Sequence, residues 1–133
     1  MKKKILIVGK NSNITKSLAD KFKNIDIVSS RDVFKKNFKT TIEKKKPEVI
    51  IYNAFYPLNS INEKTDLNEL LKYTTIVTNE FIKKIKEIKT ISQIILSSSS
   101  ALKNIFINSY NIKNKRALYS SLKLLNEQIF TKF

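Results

Sequence analysis

Tyr119 and Lys123 stand four residues apart in a segment whose apolar residues, Leu118, Leu122, Leu125 and Ile129, recur at helical spacing. Residues four apart share one face of a helix, so a lysine ammonium can sit beneath a tyrosine hydroxyl. A tyrosine ordinarily titrates near ~10, too high for ready proton exchange at neutral pH. A neighbouring positive charge stabilises the phenolate and brings that value down. The chemistry on offer is therefore general acid/base work on a substrate oxygen. Spacing alone decides little, because five tyrosines in so lysine-rich a chain give about one such pair by chance. Position adds weight. Ser97, Ser98, Ser99 and Ser100 follow an apolar run shortly upstream. A hydroxyl at such a strand end can hydrogen-bond a substrate carbonyl beside the tyrosine.

Gly9 is the only glycine in the chain, and it follows the apolar run Ile5, Leu6, Ile7, Val8. A glycine at a strand end lets the chain turn sharply and lets backbone approach a pyrophosphate at a helix N-terminus. The full pattern has two more glycines, and Ser12 and Thr15 take their places here. Asn11 and Asn13 tolerate left-handed backbone better than most residues. A plain strand-to-helix turn explains the same residues about equally well. After the next apolar run come Ser29, Ser30, Arg31 and Asp32. An acidic residue there binds ribose hydroxyls, whereas an arginine suits a 2′-phosphate, so Arg31 points toward NADP and Asp32 toward NAD. A solvated turn is the competing reading.

Those residues need a scaffold, and composition limits which kind. The chain has 133 residues, enough for one domain with a buried core. It has no cysteine and no histidine. Disulfides, thiol nucleophiles, histidine triads and zinc sites of the usual ligand types are excluded. The apolar run behind Lys2, Lys3 and Lys4 is too short for a signal peptide, and no segment nears the roughly 20 apolar residues of a membrane helix. A cytoplasmic protein with no membrane partner is expected. A net charge of +15 invites a nucleic-acid reading. However, Arg31 and Arg116 are the only arginines, and the lysines are spread along the chain. No nucleic-acid partner is expected, although the charge favours anionic ligands.

Four apolar runs alternate with helical patterns. Strands are predicted at residues 5–8, 25–29, 49–52 and within 91–97. Helices are predicted over 14–23, 33–45, 66–89 and 113–130, with loop at 56–64 and from the serine run to about residue 111. Ser12 or Asn13 is placed to cap the first helix, and Pro47 to close the second. Continuous apolar strands separated by helices imply a parallel sheet covered on both faces, an α/β fold. A receiver-like signalling domain of similar length needs carboxylates at the strand ends, where Gly9 and Lys10 stand instead.

Taken together, four segments resemble the extended short-chain dehydrogenases/reductases, the nucleotide-sugar epimerases, dehydratases and dTDP-4-dehydrorhamnose reductases. Residues 3–14 resemble their opening strand and turn. Residues 46–54, ending in Asn53 and Ala54, resemble the segment that runs along the cofactor. Residues 94–101 are similar to their serine-bearing strand, and Tyr119 with Lys123 matches their Tyr-x-x-x-Lys. The four lie in the family's order and cover nearly the whole chain.

The resemblance implies a Rossmann-type doubly wound parallel sheet holding NADP or NAD. It implies that Tyr119 is the acid/base, that Lys123 lowers its pKa and binds the nicotinamide ribose, and that Ser99 polarises the substrate oxygen. Gly9, Asn11, Ser12, Asn13, Ile14, Asn53, Ala54 and Phe55 would line the cofactor. The substrate implied is a small molecule, a nucleotide-linked sugar. The family's helices commonly pair across a homodimer, here residues 67–88 and 118–129. Its members continue past the Tyr/Lys helix with further strands, so a C-terminally truncated, N-terminal portion is expected. A non-catalytic remnant or interaction module, and a basic nucleic-acid-binding domain, are the alternatives.

Overall fold

Ile5–Val8, Ile25–Val28, Val49–Tyr52 and Gln93–Leu96 form strands β1 to β4 in a computed structural model of the chain. The structure describes residues 2–56, 60–62, 64–97 and 115–131, with side chains left out at 115–117 and 120. All neighbouring strands pair in parallel, in the order β2-β1-β3-β4. The α/β expectation holds. The central strands β1 and β3 are mostly buried, with Leu6, Ile7, Val8, Ile50 and Tyr52 fully so and Ile5 and Ile51 partly exposed. That is why they read as unbroken apolar runs.

Register separates the two faces of the sheet. Leu6, Val8, Ile50 and Tyr52 sit on one face and build the main core with Val33, Phe38, Ile42, Val77, Phe81 and Ile85. Ile7 aligns with Ile27 and Ile51, and Ile51 with Ile95, on the other face. Ile27 and Ile95 on the outer strands are 38% and 44% exposed.

Helix α1, Asn13–Lys21, starts at the N-cap Ser12, one of the two caps its sequence offers. Ile14 and the C-cap Phe22 are about half exposed, and Thr15 is its buried residue. The helix predicted over 33–45 is two pieces, α2 at Ser30–Val33 and α3 at Phe38–Lys45. The break has a local cause. Ser29 and Asp32 form a capping box that starts α2 early, and Phe34 ends it. Lys46 closes α3 in the left-handed region at φ 50°, immediately ahead of Pro47.

The long predicted helix is continuous from Leu67 to Ile85 but changes winding. α4 covers Leu67–Leu71, a π-turn covers Lys72–Ile76, and α5 covers Val77–Ile85. Within the π-turn the Val77 N–H donates to the Lys72 carbonyl, five residues back. Helix α6, Lys115–Thr131, packs beside that turn. Asn126, fully buried, donates its Nδ2 to the Thr74 carbonyl at 2.6 Å. Thr78 Oγ1 donates to the same carbonyl at 2.8 Å. Its one proton being spent there, Thr78 accepts from the Tyr52 hydroxyl at 2.9 Å. A polar chain thus joins β3, the π-turn and α6 through the apolar core.

Among the described residues no helix is long and apolar enough to cross a membrane.

Candidate functional site

The turn after β1 is held from both sides. Gly9 donates its N–H to the Val28 carbonyl at 2.9 Å, and Asn53 donates to the Val8 carbonyl at 2.7 Å. Gly9 lies at φ +116°, a conformation that L side chains rarely adopt. A Cβ there would lie 2.5 Å from the Asn53 carbonyl oxygen and 2.9 Å from the Ala54 nitrogen. Both obstacles are backbone, so neither can swing aside. Glycine is required on two independent counts.

Two hydroxyls complete the turn. Thr15 Oγ1 donates to the Gly9 carbonyl at 2.6 Å. Ser12 Oγ accepts from the Thr15 N–H at 3.0 Å and, since Thr15 has spent its proton, donates to Thr15 Oγ1 at 2.8 Å. The first amides of α1, those of Asn13 and Ile14, have no acceptor within the helix by its geometry. With the helix dipole behind them, they suit an anion.

A cavity of about 570 Å³ opens over this turn. Residues 9–13 line it from the first turn, 29–31 from the end of β2, and 53–56 from the end of β3, with Ser60, Glu69 and Tyr73 closing another side. It therefore sits at the carboxyl ends of the strands, where the order reverses between β1 and β3. Ligands of open parallel sheets bind at that reversal. Asn53, 4% exposed, carries a buried side-chain amide with neither its nitrogen nor its oxygen hydrogen-bonded among the described residues. A buried amide in that condition is costly unless a further group completes it.

Of the residues singled out by sequence, Gly9, Asn11, Ser12, Asn13, Arg31, Asn53, Ala54 and Phe55 all line this cavity. Ile14 and Asp32 do not. Ile14 is 51% exposed. Asp32 is committed to its own helix, its Oδ2 accepting the Ser29 N–H at 2.9 Å while Oδ1 pairs with Lys35 at 2.7 Å. The Lys35 ammonium and the Ser29 N–H hold its carboxyl below the usual range. Ser99 lies outside the described residues.

Tyr119 and Lys123 also lie off the cavity lining. Tyr119 is 3% exposed and packs with Ile61, Leu70 and Leu122. Burial pushes its phenol above the ordinary tyrosine range, the opposite of what proton exchange at neutral pH needs. Lys123 is buried as well, with its ammonium 4.1 Å from the centre of the Phe55 ring. Burial lowers its pKa, and the Glu127 carboxylate one turn on works against that.

Sequence reasoning missed Glu69 and Tyr73, which project from one helix face four residues apart. Tyr73 is set by the π-turn and meets Phe34 edge-on at 6.4 Å, with the Lys72 ammonium 5.4 Å from its ring. The spacing was readable, but the π-turn that aims it was not. No group of three or more carboxylates able to hold a metal occurs among the described residues. Compared with known proteins, the chain matches no family model and no curated sequence.

Proposed function

We propose that this chain is a Rossmann-type domain that binds NADP or NAD at the Gly9 turn. We propose further that its chemistry is that of an NAD(P)-dependent oxidoreductase or epimerase acting on a nucleotide-linked sugar. The observation that carries the reading is Gly9 itself: positive φ, no room for a Cβ, and a helix N-terminus opening onto a cavity at the strand-order reversal. The buried, uncompleted Asn53 amide at the same place gives independent support for a ligand. The phosphates would rest on the amides of α1 and near Lys10, with Arg31 at the adenosine end. A bound nicotinamide supplies hydride transfer. Tyr119 would hold the exchangeable proton on its phenol, and Lys123 would favour its release. The sugar substrate, a homodimer through the α4, α5 and α6 faces, and a cytoplasmic location belong to the same reading and rest on the motif resemblance.

A second reading, a nucleotide-binding or interaction module without catalysis, is favoured by one observation. Tyr119 sits in an apolar cluster that raises its pKa instead of lowering it. Calorimetric titration with a dinucleotide, followed by a turnover assay, separates the two. Dinucleotide binding with turnover that Tyr119→Phe abolishes supports the enzyme, and binding without turnover supports the module. Absence of binding at about millimolar dinucleotide contradicts the enzyme and the nucleotide-binding module, and leaves an interaction module.

A further inference from the structure

The cavity and the Tyr119–Lys123 pair meet at two neighbouring aromatic residues, Tyr56 on the Tyr119 cluster and Phe55 under the Lys123 ammonium. Phe55 lines the cavity, carries the Lys123 ammonium at 4.1 Å from its ring centre, and meets Tyr52 edge-on at 5.6 Å. Its backbone is fixed too, since its N–H donates to the Asn53 carbonyl at 2.9 Å within a three-residue turn. Tyr52 is buried against Phe81 and Phe130 and cannot retreat. The ring of Phe55 is therefore a placed partition.

We propose that Phe55 divides the nucleotide site, so that the chain at rest accepts the adenosine-phosphate half of a dinucleotide and holds Lys123 away from the other half. This rests on the nucleotide reading given above. The half that is open includes Gly9, Ser12 and Arg31, and neither Tyr119 nor Lys123 lines it. An ammonium in a desolvated place over a ring is held by up to about thirtyfold in population. For Lys123 to reach a ligand it must leave that ring, and the binding free energy of the distal half is reduced by the cost of moving it. Phe55 is in this sense a specificity-determining residue that acts through the position of Lys123.

ADP and NADH make a matched pair for the test, since one is contained in the other. Calorimetric titration of the full chain is expected to give affinities for the two within about threefold of each other. Phe55→Leu keeps the apolar packing but removes the π-face, and it is expected to raise the NADH-to-ADP affinity ratio about tenfold. A merely structural role for Phe55 would move both affinities together and leave the ratio alone. Lys123→Met, which leaves Phe55 in place, is expected to keep the ratio near that of the unaltered chain. The inference is overturned if the unaltered chain already prefers NADH by about tenfold or more. It is equally overturned if Lys123→Met lowers NADH affinity alone, because Lys123 would then already reach the ligand. Should Phe55→Leu fail to fold, those two measurements still decide. Failure to bind ADP at all would remove the nucleotide reading, whereas ADP binding with either overturning result removes only the role of Phe55.

Discussion

At the scale of single residues, Gly9 does the most with the least. Its φ of +116° is one requirement, and the backbone of Asn53 and Ala54 within 3 Å of any added Cβ is another. Gly9→Ala meets both, so unfolding in urea is expected to show a loss of about 2–4 kcal/mol. A loss below about half that would mean the turn shifts without strain. Tyr119 offers a different check. Burial raises its pKa, so the folded chain holds the phenolic proton more tightly than the unfolded chain does. That contribution to stability is complete below the unfolded tyrosine pKa and fades as pH rises through the folded one. An alkaline limb in thermal stability is expected, weakened in Tyr119→Phe. Difference absorbance between the two proteins is expected to place the Tyr119 titration above the ordinary tyrosine range without ligand. A Tyr119 titrating below that range would show that Lys123 dominates burial. The sequence disclosed the pair but not its surroundings, because Tyr-x-x-x-Lys specifies a helix face and leaves open what that face packs on. Gly9 was more legible, since the only glycine in a chain must stand where no other residue can.

Elements read more faithfully than residues. Val49–Tyr52 and Ile5–Val8 coincide with their apolar runs, because a strand buried on both faces has nowhere to place a polar side chain. The cap of α1 was narrowed to Ser12 or Asn13 by side-chain chemistry of the same local kind, and it is Ser12. What escaped was the break between α2 and α3 and the π-turn at Lys72–Ile76. In the first, a capping box at Ser29 and Asp32 competes with a longer helix. In the second, one extra residue per turn leaves an apolar stripe almost unchanged while it alters which carbonyls are paired. Asn126 is where that turn meets α6. Its Nδ2 donates to the Thr74 carbonyl, while its Oδ1 is buried without a partner among the described residues. Asn126→Ala removes the donor and leaves a small void, for an expected loss of about 1–3 kcal/mol in urea unfolding. Hydrogen exchange is expected to rise in α6 before it rises in β1 and β3, since the lost bond anchors α6 to the π-turn and not to those strands. Equal protection loss in the central strands would show that the sheet and α6 unfold as one unit.

On the scale of the whole molecule two opposing tendencies share one surface. Leu67, Ile76 and Leu125 are each exposed by more than two fifths, on α4, the π-turn and α6. Such apolar residues on neighbouring elements favour the homodimer proposed above. The net charge of +15 opposes it, because two copies brought together repel. The four ion pairs between described residues are all at least partly exposed, so they neutralise little at moderate salt. Salt therefore acts with opposite signs on the two proposed interactions. Screening shortens the Debye length to about 3 Å near 1 M, which relieves repulsion between copies and also weakens attraction for a nucleotide phosphate. Sedimentation velocity is expected to show association rising with salt in the unaltered chain and suppressed in Ile76→Lys, which adds charge to the contact. Nucleotide affinity is expected to fall over the same salt range in both proteins. Association that weakens with salt would mean ion pairs, not the apolar face, join the copies. Nucleotide affinity that ignores salt would place its binding free energy in the base and ribose instead of the phosphates at the Gly9 turn.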